Sequence, residues 1–88
     1  MPKKMTFKNN KKVKKVVIKN GVTSVSDKAF YKCKNLSKVT IGKSVKKIGI
    51  DSFNGTKIKK VTIPKKVKEI GQDAFENCKQ LENITLPG

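Results

Sequence analysis

The sequence predicts an α/β repeat: a solenoid with short parallel β-strands on one side and short helical turns on the other. Two observations carry this expectation. Phe7, Phe30, Phe53 and Phe75 lie 23, 23 and 22 residues apart. Aliphatic residues then recur at fixed offsets from those aromatics, and a period in this range is the signature of a stacked-coil architecture.

The elements follow in order within each period. Val16, Val39, Val61 and Ile84 are each followed two positions later by Ile18, Ile41, Ile63 and Leu86. Val39-Thr40-Ile41 and Val61-Thr62-Ile63 thus alternate inward and outward with β-branched residues, as a short strand does. Gly42 or Pro64 ends the strand. Val22, Val45 and Val67, followed by Val25, Ile48 and Ile70, predict a short extended piece. Ser26-Asp27-Lys28-Ala29-Phe30 and Gly71-Gln72-Asp73-Ala74-Phe75 then read as the capped start of a single helical turn. A small residue, Ala29, Ser52 or Ala74, precedes the aromatic, and Val13, Leu36, Ile58 and Leu81 lead back to the next strand. One repeat is a residue short between Phe53 and Ile58, and the turn dipeptide Asn54-Gly55 is the expected place for the loss. No coil buries its own apolar residues, so stacking must do it, Phe on Phe and Val on Val. The 88 residues are therefore expected to form a single domain: a partial repeat over 1–15, repeats 16–38, 39–60 and 61–83, and a truncated repeat over 84–88.

The unit Val61-Thr62-Ile63-Pro64…Val67…Ile70-Gly71…Ala74-Phe75…Cys78…Leu81 resembles the BspA-like class of leucine-rich repeat. That class has a consensus close to I-x-I-P-x-x-V-x-x-I-G-x-x-A-F-x-x-C-x-x-L, and the likeness runs over roughly residues 6 to 87. The resemblance implies a leucine-rich-repeat solenoid, a right-handed horseshoe or ribbon with the parallel sheet on its concave side. Members of the class are often long cell-surface proteins of host-associated bacteria and protists, implicated in adhesion and protein binding. This chain departs from them in its shortness and its charge. Repeat arrays usually carry polar caps, and neither end shows one, although Lys3, Lys4, Lys8, Lys11 and Lys12 would screen the first coil. An excised segment, an oligomer joined end to end or at an edge, and a small protein with frayed ends all accommodate that. Pro87 is expected to discourage strand pairing at the far edge.

The net charge is +16, and all 22 basic residues are lysine. Codon bias toward Lys, Asn and Ile accounts for such a composition as well as selection does. Its physical consequence is attraction to polyanions. Lysine without arginine favours phosphate or carboxylate taken as point charge over bidentate base reading. There is no apolar run long enough for a membrane span and no secretory leader. The chain as written is expected in the cytoplasm, or at the cell surface or secreted if it is a piece of a longer family member.

Catalytic and metal chemistry find little support. Cys33 and Cys78 share a repeat position with Thr56 between them, which separates the sulfurs by roughly 10 Å at strand spacing. That is too far for a disulfide, and without histidine the ligand count for zinc is not met. Asp51 and Asp73 match across adjacent coils about 5 Å apart, a separation that suits a retaining glycosidase pair. Carboxylates at the start of a helical turn, meeting free amides, explain them better. No cofactor and no enzymatic activity are expected. Asn-x-Ser/Thr sequons at Asn35, Asn54 and Asn83 are expected by chance in so Asn- and Thr-rich a chain.

The lysines form ladders instead: Lys15, Lys38 and Lys60; Lys43 and Lys65; Lys46 and Lys68; Lys34, Lys57 and Lys79. Asp27, Asp51, Asp73 and Glu76 lie in the opposite, turn segment. Outward strand residues Lys15, Val17, Lys38, Thr40, Lys60, Thr62, Asn83 and Thr85 therefore make the expected binding face. The expected function is protein–protein interaction with an acidic partner. Nonspecific binding of nucleic acid, acidic glycan or anionic membrane is the alternative, as is a structural role as one segment of a larger adhesin.

Overall fold

A computed structural model describes residues 7–86. The extra lysines Lys3 and Lys4, and Pro87, lie outside the described residues. Each complete coil contributes two short strands and the last, partial one a single strand, and all seven run parallel to their partners. The outward-alternating strands are β1 (Lys15–Ile18), β3 (Lys38–Ile41), β5 (Lys60–Thr62) and β7 (Asn83–Thr85). The extended pieces form β2 (Ser24–Val25), β4 (Lys47–Ile48) and β6 (Glu69–Ile70), a continuous three-stranded sheet in the order β2-β4-β6. A coil is thus strand, corner, two-residue strand, turn segment and return.

Stacking places like on like. The rings of Phe7, Phe30, Phe53 and Phe75 lie face to face with centroids 5.5, 5.3 and 5.5 Å apart. Ile18, Ile41 and Ile63 bury beneath the outer strands, Val25 and Ile48 beneath the second sheet, and Ala29, Ser52 and Ala74 beneath the turn segment. Each of these small residues directly precedes a ring of the column.

The turn segment is not helical: there is no helix among the described residues. It is a ribbon of successive tight turns. Within one coil, Ala29 donates to Ser26 O, Tyr31 to Lys28 O and Cys33 to Phe30 O, at 3.1 to 3.2 Å. The alternate amides leave the coil: Lys28 donates to Ile50 O at 2.8 Å, Phe30 to Ser52 O at 2.7 Å and Lys32 to Asn54 O at 2.7 Å. Asp51, Phe53 and Gly55 repeat the pattern onto Gln72, Ala74 and Glu76. A helix would satisfy these N–H groups internally, and nothing would then tie coil to coil along this side. The geometry demands positive φ at two positions per coil: Lys28, Asp51 and Asp73 (57°, 55° and 59°), and Lys32, Gly55 and Asn77 (55°, 79° and 58°). Asp51 and Asp73 therefore sit where Asp and Asn tolerate left-handed backbone, and not at a helix cap.

The shortened coil also differs from expectation. Gly55 occupies the same place as Lys32, so no residue is lost at Asn54-Gly55. The loss falls between Lys57 and Ile58. The turns closed by Leu36 onto Cys33 O and by Leu81 onto Cys78 O, both at 3.0 Å, have no counterpart there. Lys57 instead donates to Leu36 O at 2.8 Å.

That shortening coincides with a break in the outer sheet. β1 pairs with β3 and β5 with β7, but no ladder joins β3 to β5. The strand-ending position contributes to it. A Cβ on Gly42 would come within 2.4 Å of the Ile18 carbonyl oxygen, so glycine lets the second and third coils close. Pro64 follows in the next coil at the same place. It brings a ring where glycine had none and has no N–H to donate.

Phe53 is fully buried between two rings. Phe53→Ala is expected to cost about 3–5 kcal/mol, enough to unfold much of so small a domain, read as loss of the thermal transition. Lys32→Asn is expected to stabilise the fold by about 0.5–1 kcal/mol, because a lysine held at positive φ bears strain that asparagine eases. A urea titration checks it.

Candidate binding face

Strand alternation sets which side chains leave the core. In β1 and β3, Lys15 pairs with Lys38 and Val17 with Thr40; in β5 and β7, Lys60 pairs with Asn83 and Thr62 with Thr85. All eight side chains are exposed, Val17 at 54%. The sequence-predicted residues therefore share one sheet face but fall into two patches, one on each side of the break between β3 and β5. Between the patches lies an open cleft of about 380 Å³, lined by Val39, Thr40, Ile41, Lys43, Lys60, Val61, Thr62 and Pro64. Periodicity alone does not reveal this cleft. Its sequence signals are the Gly42-to-Pro64 change at one repeat position and the missing residue before Ile58.

Electrostatically the face is uncompensated. Among the described residues one side-chain ion pair is present, Lys47 with Glu69 at 4.0 Å, and it belongs to the second sheet. Two ammonium groups about 5 Å apart repel by roughly 0.8 kcal/mol in water, and splayed side chains reduce that further. The corner beside the cleft is fixed by its own ladder: Lys43 N–H donates to Asn20 Oδ1 at 3.0 Å, and Gly21 N–H to Ser44 Oγ at 2.9 Å. The position of Lys43 at the cleft rim is thus held by backbone, while its ammonium remains free to reach an anion.

The turn side is different in kind. Asp27 Oδ1 accepts the Ile50 N–H at 2.9 Å, and Asp51 Oδ1 accepts from Asn54 Nδ2 at 2.9 Å. The first is a structural acceptor between coils and the second within one coil. Asn54 is 9% exposed and Asn77 Nδ2 donates to its Oδ1 at 3.2 Å, so this sequon asparagine is occupied in the fold. Tyr31 carries Lys28 and Lys32 over its ring at 5.5 and 5.3 Å. None of these groups lines the cleft between β3 and β5. No helix of the described residues is long and apolar enough to cross a membrane.

Comparison with known proteins bears on this geometry. Residues 3–88 match the model of the BspA type leucine rich repeat region, in 6 copies. The crystal structure of a leucine rich cell surface protein from Faecalibacterium prausnitzii superposes with a TM-score of 0.82 at 42% identity. The likeness covers 83% of this chain, which spans 19% of that protein. No curated protein matches.

The cysteines close the account of reactive groups. Both are free thiols, Cys33 buried and Cys78 half-buried. Cys33 Sγ donates to Phe7 O at 2.9 Å, Cys78 Sγ donates to Phe53 O at 3.1 Å, and Thr56 Oγ1 lies 3.3 Å from Cys78 Sγ. Burial pushes the Cys33 thiol up, partly offset by the Asn10 backbone. Below the ordinary thiol range both folded and unfolded chains hold this proton. As the pH rises through that range the unfolded chain loses it first, so the contribution of Cys33 to stability falls. The urea midpoint of the parent is expected to drop relative to that of Cys33→Ala between neutral pH and about pH 10.

Proposed function

Because the chain belongs to the BspA-type leucine-rich repeat family, we propose that it is a non-enzymatic binding module whose strand face takes an acidic protein partner. The observation that carries the reading is the exposed, unpaired column of Lys15, Lys38 and Lys60 beside a column of Val17, Thr40, Thr62 and Thr85. Carboxylates of a partner fit the first column. The small hydroxyl and aliphatic groups of the second leave low surfaces on both sides of the cleft against which a polypeptide can lie. The rim lysine Lys43 and the threonines of the cleft add a place for one side chain of that partner.

Two features favour protein over nucleic acid. Phe30, Phe53 and Phe75 are held in the ring column and Phe7 alone is exposed at its end, whereas successive stacked bases supply much of the affinity for single strands. The guanidinium fork that reads base edges is absent from the composition. The cell-surface relative supports a surface setting for the solenoid of which these coils are representative.

A fluorescently labelled polyglutamate peptide and a labelled mixed-sequence DNA duplex, titrated separately at physiological salt, test the reading by anisotropy. The peptide is expected to bind, and the triple variant Lys15→Glu, Lys38→Glu, Lys60→Glu to weaken it by about tenfold or more while the fold is retained. Undiminished binding by that variant assigns the partner to another surface. Tight duplex binding that falls with salt at a log–log slope of roughly −4 makes the face a general polyanion surface.

A further inference from the structure

We propose that Asn20 is a site of spontaneous covalent modification. Its side-chain amide is lost by attack of the Gly21 backbone nitrogen, leaving aspartate or isoaspartate at the first corner. This is independent of what the strand face binds.

The chain holds two Asn-Gly pairs, Asn20-Gly21 and Asn54-Gly55. In each the second residue lacks a Cβ, so its nitrogen can approach the carboxamide carbon closely. Asn9, Asn10, Asn35, Asn77 and Asn83 are each followed by a residue whose side chain obstructs that approach. Both glycines hold left-handed backbone, with φ of 101° and 79°. By sequence and local backbone the two pairs are alike, and it is the fold that separates them.

Asn54-Gly55 is locked. Asn54 is 9% exposed. Its Nδ2 donates to Asp51 Oδ1 at 2.9 Å, and its Oδ1 accepts from Asn77 Nδ2 at 3.2 Å. The Gly55 nitrogen, the nucleophile of this pair, donates its hydrogen to Glu76 O at 3.0 Å, a rung of the ladder between coils. Gly55 is also packed on the preceding coil, where a Cβ would lie 3.4 Å from Lys32 Cα. Ring closure here requires a held carboxamide to turn and a backbone rung to break, and unpaired buried amides are costly.

Asn20-Gly21 is open. Both residues are exposed, and a Cβ on Gly21 would meet nothing within 4 Å, which leaves room for a cyclic imide. The Gly21 N–H is held by a side chain alone, the Ser44 hydroxyl at 2.9 Å, and rotation of that hydroxyl releases it. The Lys43 N–H donates to Asn20 Oδ1 at 3.0 Å. A donor fixed on that oxygen polarises the carbonyl under attack and stabilises the negative charge it acquires.

The reaction needs only hydroxide and water. Hydroxide removes the Gly21 amide proton, the nitrogen bonds to Asn20 Cγ, and the Cγ–Nδ2 bond breaks as Nδ2 takes a proton from water and leaves as ammonia. Water then opens the imide. Cleavage between Cγ and the Gly21 nitrogen gives aspartate. Cleavage between the backbone carbonyl carbon and that nitrogen gives isoaspartate, whose main chain runs through Cβ and Cγ. Either product sets a new carboxylate beside the backbone of Lys43, a residue of the cleft rim. Isoaspartate also lengthens the main chain at the corner and draws the Gly21 N–H away from Ser44.

Peptide mapping of the folded chain, held in heavy-oxygen water at mildly alkaline pH and sampled over time, tests this. Each conversion takes up one heavy oxygen, and chromatography separates aspartate from isoaspartate. In the native chain Asn20 is expected to convert at least about tenfold faster than Asn54. In urea, where both pairs are free of the fold, the two rates are expected to converge. Asn20→Gln, whose longer side chain closes its ring far more slowly, is expected to leave that peptide unlabelled while circular dichroism shows the fold unchanged. Asn54 converting as fast as Asn20 in the native chain overturns the proposal. So does folding that slows Asn20 as much as it slows Asn54, or label that persists in the peptide of the Asn20→Gln variant.

Discussion

The amide ladder of the turn segment is the constraint on which the remaining structure depends. Alternate N–H groups from Lys28 to Lys32, and from Asp51 to Gly55, leave their own coil for the next. This fixes the coil spacing, and the spacing fixes the ring column at 5.3 to 5.5 Å. Ala29, Ser52 and Ala74 directly precede rings of that column. Each coil must repeat the contour of its neighbour because its donors have no other acceptors, and buried amides left unpaired are costly. Apolar content is modest for a domain of this size, and directional backbone bonds between coils supply order that a larger core would otherwise supply.

The same constraint separates structural from available charge. On the turn side two carboxylates serve the fold: Asp27 holds the Ile50 amide of the next coil, and Asp51 holds Asn54 of its own. On the strand side, among the described residues, the ammonium groups of Lys15, Lys38 and Lys60 enter no ion pair. Lys15, Lys38 and Lys60 are therefore left without structural duty, and an outward position with no structural duty is where a binding preference can be set.

Much of this was legible in the sequence, and the misreadings have physical causes. The ring column, the inward Val and Ile columns and the eight outward residues follow from a period of 22–23 and an alternation of two. The helical turn was inferred from Ser26-Asp27-Lys28-Ala29-Phe30, where Lys28 and Lys32 give no sign of left-handed backbone. Asp51, Gly55, Asp73 and Asn77 at the matching positions carried that sign, since each tolerates positive φ better than lysine. Asn54-Gly55 invites the deletion because turn dipeptides tolerate one. The Gly55 turn is in fact needed for the ladder, and the dispensable turn was the one closed by Leu36 and Leu81 in the flanking coils. The cleft between β3 and β5 follows from those two local events and has no periodic signature.

The divided outer sheet has a consequence for dynamics. In a solenoid, stability is a sum over coils and the contacts between successive coils. The junction between β3 and β5 lacks a strand ladder that the junctions on either side possess. It retains the β4–β6 pairing and the turn ladder, so an opening there would splay about the turn side like a book about its spine. Amide hydrogens of β5 and β7 would then exchange as one cooperative unit, at a lower free energy than those of β1 and β3. The plane of weakness runs through the middle of the proposed strand face, so a ligand spanning both patches would also act as a clasp.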